Sequence, residues 1–239
     1  MLRQYVGLAC KTIGIPRHYR APPNLSRCFS TESNGPSAPL VYPEPPSAHH
    51  SSLESFLAYA ERWQLDRAST VYVGTLYEYT IAKSLERYGF HLRRVGGASD
   101  YGIDLLGEWK PPSTSTTLRV LIQCKGGAQR VGPNLIRELE GAFVGAPAGW
   151  RGQGVLGLMV AQRPATKGVR DSLGRSRWPM GYLFCEAEGE VKQMIWNRRA
   201  EEEGLEGFGV TTRHVESKAD PELALMKQGK LLPLVTTNG

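Results

Sequence analysis

The pattern of residues 102–125 is the feature that most constrains how this 239-residue chain can fold. Two short apolar segments flank a polar stretch rich in proline, serine and threonine, which predicts a β-hairpin. The alternation of side chains along a strand places Gln123 and Lys125 on one face and Cys124 on the other. If the turn lies in the middle of the polar stretch, Asp104 faces Gln123 across the hairpin. The sequence therefore predicts an acid, an amide and a lysine side by side.

These three side chains provide the groups needed to hold a hydrated Mg²⁺ ion against a phosphate. Carboxylate and amide oxygens are ligands that Mg²⁺ accepts, and a nearby lysine can steady the phosphate and help to activate water. Each residue alone has an ordinary explanation, because an Asp after Gly often belongs to a turn and a Lys often ends an edge strand. The combination is more informative, since glycines precede Asp104 and follow Lys125 and leave space for a ligand.

The first 31 residues contain no acidic residue, and the first one along the chain is Glu32. This acid-poor, arginine-rich composition is typical of a mitochondrial transit peptide, and residues 27–30 are similar to a matrix-protease cleavage site. We therefore expect a transit peptide at residues 1–30 and a mature protein in the mitochondrial matrix. A disordered basic tail on a cytosolic protein is the alternative, although such tails usually mix acids with bases. The basic residues of this segment are Arg3, Lys11, Arg17, Arg20 and Arg27.

Removal of this segment changes what the charge implies. The full chain has a formal net charge of +6, and the five basic residues of the segment contribute +5, which leaves about +1. The overall charge of the mature chain therefore does not favour nucleic acid, and any such binding requires a local basic patch. There are two candidate patches. The first consists of Arg87, Arg93 and Arg94, and the second of Lys125, Arg130 and Arg137.

The cysteines, the apolar runs and the glycine motifs each exclude a class of protein. The mature chain keeps only Cys124 and Cys185, which are too far apart in sequence to suggest a metal site or a disulfide framework. No apolar run approaches the roughly 18 residues of a membrane helix, so we expect no membrane insertion. The sequence lacks a Walker-type phosphate loop and a dinucleotide-binding glycine motif, which argues against nucleotide-driven chemistry.

Helical and strand patterns predict one α/β domain between a proline-rich linker and a C-terminal extension. Residues 31–50 are rich in proline and predict a disordered linker. Residues 51–180 contain the order helix, three strands, helix, strand, which predicts a mixed central β-sheet flanked by helices on both faces. Residues 181–239 predict further strands and then a weakly structured extension. The predicted helices lie at about 51–64 and 72–88, from 133 onward and at 167–173, and the predicted strands at about 92–95, 102–107, 118–124, 155–160, 182–186 and 191–196.

These motifs resemble the PD-(D/E)xK nuclease superfamily, and specifically its Mrr-like restriction endonuclease branch. The resemblance covers about residues 71–165 and implies a restriction-endonuclease-like core. The whole chain, including its predicted transit peptide and the Trp196-Asn197 region, is also similar to the fungal mitochondrial family that is named for being required for respiratory growth, member seven. The segments that carry the superfamily resemblance are Gly74-x-x-Tyr77-Glu78, Gly96 to Leu105, Gln123-Cys124-Lys125, and Ile136 to Gly141.

The resemblance implies a role for each site residue. Asp104 would be the main ligand of Mg²⁺, with Mn²⁺ as an alternative ion, and Gln123 would contribute a carbonyl oxygen. Lys125 would orient or deprotonate the attacking water, and Glu78 would complete or support the metal site from its helix. Gln123 occupies a position where most superfamily members carry a second acid, although the Mrr-like branch also uses Gln there. One negative charge fewer predicts weaker metal binding.

These inferences lead to a first hypothesis: a mitochondrial nuclease that hydrolyses DNA phosphodiesters with Mg²⁺ and supports respiratory growth through maintenance of mitochondrial DNA. The alternative is a catalytically inactive protein of the same fold that binds nucleic acid or acts as a mitochondrial assembly factor. Gln123 and the near-neutral charge of the mature chain motivate this alternative. A purely structural partner in the matrix is a third interpretation. No sequence feature indicates an oligomeric state.

Overall fold

A computed structural model describes residues 40–97, 102–127, 130–214 and 220–235 of the chain. The predicted transit peptide at residues 1–30 lies outside the described residues, as does the first half of the predicted linker. Within the described ranges, a six-stranded β-sheet lies between helices, which confirms the predicted α/β architecture with a mixed central sheet. None of the helices in these ranges is long and apolar enough to cross a membrane.

The helices and strands follow in the predicted order, with ends that differ from the prediction by a few residues. In the described part of the chain the helices are α1 (Leu53–Arg62), α2 (Thr70–Glu86), α3 (Pro133–Gly145), α4 (Lys167–Arg175) and the single turn α5 (Arg198–Ala200), which continues as a π-helical turn, Glu201–Leu205. The strands are β1 (Phe90–Arg94), β2 (Leu105–Trp109), β3 (Leu118–Lys125), β4 (Val155–Ala161), β5 (Met180–Cys185), β6 (Val191–Trp196), β7 (Phe208–Arg213), β8 (Glu222–Lys227) and β9 (Lys230–Leu231).

Capping interactions define where α1 and α3 begin. The sequence pattern predicts a capping box of Ser51 and Glu54, but the structure forms it one residue later. The Ser52 hydroxyl oxygen accepts a hydrogen bond from the Ser55 N–H at 3.1 Å, and the Ser55 hydroxyl oxygen accepts one from the Ser52 N–H at 2.9 Å. A second serine thus replaces the expected glutamate. Pro133 is the first residue of α3, as predicted, because the first helical residue needs no N–H.

The central sheet combines antiparallel and parallel pairs in the order β1-β2-β3-β4-β5-β6. Strands β1, β2 and β3 pair antiparallel, β3, β4 and β5 pair parallel, and β6 pairs antiparallel with β5. A parallel pair needs a crossover connection, and α3 provides it between β3 and β4. This connection brings Glu138 of α3 next to Lys125 at the end of β3.

Helices cover both faces of the sheet because side chains alternate along its strands. On one face, Ile81 and Leu85 of α2 pack in the same cluster as Leu105 and Ile122, which we call the α2-side core. On the other face, α3 and α4 pack in a separate cluster, the α3-side core. Its members include Leu106, Leu121, Ile136, Leu139, Met159, Val169 and Leu173. Successive residues of β2 and β3 therefore face different helices.

The region after residue 180 contains the two predicted strands, but the rest of it differs from the predicted weakly structured extension. Strands β5 and β6 belong to the central sheet, so the domain does not end at residue 180. Strands β7, β8 and β9 form a second sheet, and Leu223 and Leu225 of β8 join the α2-side core. The apolar run in β8 is short and flanked by charged residues, so its pattern is weak. Residues 215–219 and 236–239 of this region lie outside the described residues.

Residues 40–50, the second half of the predicted linker, pack on the domain and so differ from the expected disordered segment. The Tyr42 ring contacts Trp150 of the α3-side core edge-on, with 4.8 Å between ring centroids. His50 Nδ1 and the Tyr79 hydroxyl share a hydrogen bond of 2.9 Å. Aromatic side chains between the prolines supply contacts that a proline-rich composition alone does not predict.

A buried acid with two arginine partners joins the second sheet to α2. Glu222, the first residue of β8, is only 5% exposed. It pairs with Arg87, which directly follows α2, and with Arg213 across the β7–β8 pair at 3.2 Å. The Tyr88 hydroxyl donates to the Leu223 carbonyl oxygen at 3.2 Å beside this cluster. Side-chain contacts of distant residues thus fix where the second sheet lies.

Replacement of Glu222 by alanine is expected to lower the free energy of unfolding by about 2 kcal/mol. Arg87 and Arg213 lose their shared acceptor, but each side chain keeps about a third of its surface in water, which limits the penalty. Urea titration measures the change. The exposed Glu206 provides the control, since Glu206→Ala is expected to stay within about 0.5 kcal/mol. Equal stability of both variants would contradict the proposed role of Glu222.

Candidate functional site

Asp104 and Gln123 face each other at one end of the β2–β3 pair. The Asp104 N–H donates to the Ile122 carbonyl oxygen at 2.9 Å, and Leu105 pairs with Ile122 in the strand register. This register places Gln123 opposite Asp104, which confirms the predicted pairing. Asp104 lies directly before β2, whereas the predicted strand of residues 102–107 includes it. Its Oδ2 accepts a hydrogen bond from the Cys124 N–H at 2.6 Å, which fixes the carboxylate beside β3.

Glycines allow the backbone to approach both residues closely. The Gly96 N–H donates to the Asp104 carbonyl oxygen at 2.9 Å, and a Cβ atom at Gly96 would lie 3.0 Å from Asp104 Oδ1. Gly102 has a φ of +76°, and a Cβ atom there would lie 3.3 Å from Gln123 Nε2. A larger residue at either position would therefore crowd one of the predicted site side chains.

The Gln123 side chain is buried with one polar atom unsatisfied. Its residue exposure is 2%, and its Nε2 donates to Glu138 Oε1 at 3.0 Å. Because a carboxylate can only accept, this contact fixes which end of the amide is the oxygen. Gln123 Oε1 is buried and has no hydrogen-bond partner among the described residues. An unsatisfied buried acceptor costs about 1–3 kcal/mol, so Oε1 is suited to a cation or to a donor group of a ligand.

Lys125 lies on the same face of β3 as Gln123, and both contact one acid of α3. Lys125 Nζ is 3.8 Å from Glu138 Oε1, and the two side chains are 29% and 51% exposed. Glu138 thus bridges the amide and the amine at the end of β3. Glu138 is not among the site residues that the sequence predicts. Its one signal was a position in the segment Ile136 to Gly141, which carries part of the resemblance.

Glu78 of α2 is held by an arginine of β1. Arg94 Nε lies 2.5 Å from Glu78 Oε2, and Arg94 Nη2 donates to Thr75 Oγ1 at 3.3 Å. The Glu78 and Arg94 side chains are 13% and 12% exposed, so this ion pair is largely shielded from water. Breaking a pair of this kind is costly because it leaves a buried charge without its partner. Glu78 is therefore already committed to a structural contact.

Three of the four predicted site residues come together, and the fourth lies near them with a different partner. Asp104, Gln123 and Lys125 share one end of the β2–β3 pair, whereas Glu78 reaches this region from α2 and pairs with Arg94. From the sequence, Arg94 belongs to a candidate basic patch and has no predicted contact with Glu78. No sequence pattern joins a helix residue to a particular strand residue 16 positions away.

Cys124 lies on the opposite face of β3 from Gln123 and Lys125, as predicted, and packs as a small hydrophobic residue. It is partly buried and packs against the α2-side core. Burial, reinforced by the charges of Asp104 and Glu78, raises the pKa of the Cys124 thiol well above its ordinary value. The thiol therefore stays protonated at neutral pH and is not suited to act as a nucleophile.

The oxygen atoms at this end of the sheet suit a weakly held hard cation. Among the described residues, no three His, Cys, Asp or Glu side chains gather as ligands of a metal ion. The Asp104 carboxylate, directly before β2, and the unsatisfied Gln123 Oε1 of β3 are two oxygen groups that can serve as metal ligands. Mg²⁺ commonly takes one or two carboxylates and completes its shell with water and substrate oxygens. The donor set fits such an ion, with less negative charge than two acids would supply.

Known proteins with a similar sequence are fungal and mitochondrial by name. The chain is 28% identical over 158 residues to an uncharacterized mitochondrial protein of Schizosaccharomyces pombe. This match covers 64% of this chain and 62% of that protein. It is 37% identical over 112 residues to the mitochondrial Required for respiratory growth protein 7 of Eremothecium gossypii. This match covers 31% of this chain and 47% of that protein. It is 27% identical over 160 residues to the protein of that name in Saccharomyces cerevisiae. This match covers 49% of this chain and 66% of that protein.

The chain spans less than two thirds of the length of several relatives. The matched part is 62% of the Schizosaccharomyces pombe protein and 47% of the Required for respiratory growth protein 7 of Vanderwaltozyma polyspora. No solved structure shows significant similarity to the chain. The family model described as Required for respiratory growth protein 7 matches residues 69–117 and 110–213, which is more than half of the chain. The chain therefore belongs to the family of Required for respiratory growth protein 7.

Proposed function

We propose that this chain is a mitochondrial protein that supports respiratory growth by hydrolysing nucleic-acid phosphodiesters with a divalent cation. The relatives' names support the mitochondrial and respiratory parts, and the acid-poor first 31 residues favour import into the matrix. The resemblance to the PD-(D/E)xK superfamily supports the reaction type. DNA in the mitochondrion is the substrate that we propose, since its maintenance would explain a respiratory role.

The observation that carries this proposal is the meeting of Asp104, Gln123 and Lys125 at one end of the central sheet. The Asp104 carboxylate and the unsatisfied Gln123 Oε1 would hold Mg²⁺ or Mn²⁺. When bound, the cation supplies positive charge that polarises a phosphate and makes water more acidic. The Glu138 carboxylate accepts from Gln123 Nε2, which leaves the Gln123 carbonyl oxygen as the end that is available to a ligand.

Lys125 provides a cationic side chain that a phosphate can reach. Its present partner, Glu138, is about half exposed, so a phosphate oxygen can replace this carboxylate at small cost. The two residues after Lys125 have no side chains: Gly126 lies against the Tyr77 ring, and a Cβ atom at Gly127, whose φ is +86°, would have no atom of the described residues within 4 Å. Lys125 would therefore hold the phosphate and orient the attacking water.

Incubation of the purified chain with linear, circular and branched DNA and either Mg²⁺ or Mn²⁺ tests this proposal. We expect cleavage that a chelator stops and that Lys125→Ala reduces at least about a hundredfold, since a charged contact to the reacting phosphate is lost. Lys230→Ala is the matched control, because Lys230 is exposed and belongs to the second sheet. Cleavage that is unchanged in Lys125→Ala would overturn the mechanism.

A non-catalytic nucleic-acid-binding protein is the second candidate, and two contacts favour it. Glu78 forms an ion pair with Arg94, and Lys125 forms one with Glu138, so the charges of these two predicted site residues are already matched within the protein. The amide of Gln123 also supplies no charge to hold an ion. Salt-dependent binding of DNA or RNA by the wild-type chain, without cleavage under any metal condition, would favour this candidate. Metal-dependent turnover would exclude it.

A further inference from the structure

A cavity of about 330 Å³ lies at the outer edge of β1, between this strand and the segment 42–51. Its volume is at the lower end of the range for small-molecule sites, about 300–1,000 Å³. It can therefore enclose a unit no larger than one base with its sugar and phosphate. The residues that matter here are Tyr42, His50, Tyr79, Leu92, Arg93 and Arg94.

The aromatic side chains of the cavity are held in place by contacts with other cavity residues and with Trp150. Tyr42 packs edge-on against Trp150, with 4.8 Å between ring centroids, and the Arg93 guanidinium lies 4.3 Å from the Tyr42 ring centre. The Tyr79 hydroxyl donates to the His50 carbonyl oxygen at 3.1 Å, and His50 Nδ1 lies 2.9 Å from the same hydroxyl. Fixed rings of this kind suit the stacking of a flat group, because little rotational freedom is lost on binding.

The charge of the cavity is positive. Two arginines line it and no acid does within the described residues. Arg94 is neutralised by Glu78, whereas Arg93 forms no ion pair in the described part of the chain and is exposed. Burial, followed by the charge of Arg94, lowers the pKa of His50, so its ring is neutral at physiological pH. The charge that remains for a ligand is therefore that of Arg93, which suits an anion such as a phosphate.

The backbone of β1 adds hydrogen-bonding groups. Strand β1 is at the edge of the central sheet, and the Val95 N–H donates to the Asp104 carbonyl oxygen at 2.8 Å. Because the bonds of an antiparallel pair alternate, the N–H and C=O groups of Leu92 and Arg94 point away from β2. They line the side of the cavity that β1 forms, where they can pair with the polar edge of a base.

The cavity is next to the candidate site because both contact the same glycine pair. A Cβ atom at Gly97 would lie 3.4 Å from Pro46 Cβ, in the segment that covers the cavity. A Cβ atom at Gly96 would lie 3.0 Å from Asp104 Oδ1. One backbone segment thus separates the cavity from Asp104, so neighbouring units of one extended ligand can occupy both.

We propose that the cavity binds one nucleotide unit, with the base stacked on Tyr42 and the phosphate on Arg93. An isolated base fits the cavity but a base pair does not, so the ligand is single-stranded nucleic acid or a free nucleotide. The nucleic-acid part of this inference rests on the proposed function. The cavity itself needs neither a metal ion nor cleavage.

Fluorescence anisotropy with a labelled single-stranded oligonucleotide, in the presence of a chelator, tests the inference on the full chain. We expect Tyr42→Ala to weaken binding by about 5- to 150-fold and Tyr42→Phe to retain it, because the ring provides the stacking surface. Arg93→Ala is expected to weaken binding and to lower the slope of log K against log salt concentration by about one. Arg175→Ala, an exposed arginine at the end of α4, is the matched control.

Competition by adenosine monophosphate separates the two sources of the ligand. Displacement of the oligonucleotide supports a cavity that accepts free nucleotides, and binding of the oligonucleotide alone supports a subsite for a strand. Wild-type affinity in both Tyr42→Ala and Arg93→Ala would overturn the inference. If the chain binds nucleotides through these residues but never cleaves DNA, the nuclease proposal fails and the cavity stands. If Lys125-dependent cleavage occurs while the cavity variants bind as well as Arg175→Ala does, the nuclease proposal stands and the cavity inference fails.

Discussion

Replacement of Asp104 by alanine or asparagine is expected to lower the rate of metal-dependent DNA cleavage at least about a hundredfold. Asp104 supplies the negative charge beside Gln123 at this end of the β2–β3 pair, since Gln123 itself is a neutral amide. Loss of a charge that holds a catalytic cation costs about 3 kcal/mol or more, which corresponds to this change in rate. Initial rates on linear DNA at several Mg²⁺ concentrations measure it.

The two Asp104 variants differ in what they do to the fold. Alanine leaves the Cys124 N–H without its acceptor, which is expected to lower the free energy of unfolding by about 1–3 kcal/mol. Asparagine keeps a carbonyl oxygen of the same shape, so we expect near-native stability without cleavage. Asp171→Ala is the control, because Asp171 is exposed and bonds only Lys167 among the described residues. Wild-type cleavage by Asp104→Asn would contradict the proposed mechanism.

Replacement of Trp109 by alanine is expected to lower the free energy of unfolding by about 3–5 kcal/mol. Trp109 is 1% exposed at the end of β2 and stacks on Phe90 with 4.6 Å between ring centroids. Its Nε1 donates to the Tyr88 carbonyl oxygen at 3.0 Å. The variant therefore creates a cavity and also leaves a buried acceptor without its donor. Guanidinium titration followed by circular dichroism measures the loss.

The matched control for Trp109 is another tryptophan in a different environment. Trp63, which follows α1, is 62% exposed, and Trp63→Ala is expected to change stability by no more than about 0.5 kcal/mol. The comparison separates the effect of burial from the effect of losing a tryptophan. Similar losses in the two variants would mean that Trp109 does not contribute to the core in the way described here.

Local patterns predicted the central sheet and one part of the candidate site. The hairpin register depends only on the length of the polar turn and on alternation, so the pairing of Asp104 with Gln123 follows from residues close in sequence. The start of α3 at Pro133 has a similarly local cause. The order helix, three strands, helix, strand then constrains the topology, because a crossover helix must connect the parallel strands β3 and β4.

The features that the sequence did not predict depend on partners far apart along the chain. Arg94 could have faced solvent, and only the packing of α2 on β1 brings it to Glu78. The second sheet depends on contacts such as Glu222 with Arg87, which are 135 positions apart. Proline-rich composition suggested disorder for residues 40–50, and the ring contact of Tyr42 with Trp150 has no local signal. Such choices among many polar and aromatic partners are decided by tertiary packing.

The segment 42–51 also protects the edge strand β1 from pairing with a strand of a second molecule. An uncovered edge strand offers a row of free backbone donors and acceptors and can recruit a strand from a second molecule. Strand β1 has this position in the central sheet, and the proline-bearing segment lies along it. Proline has no N–H to contribute, so it covers the edge without extending the sheet. A shortened chain that begins at Ser51 would lose this cover and become prone to aggregation through β1.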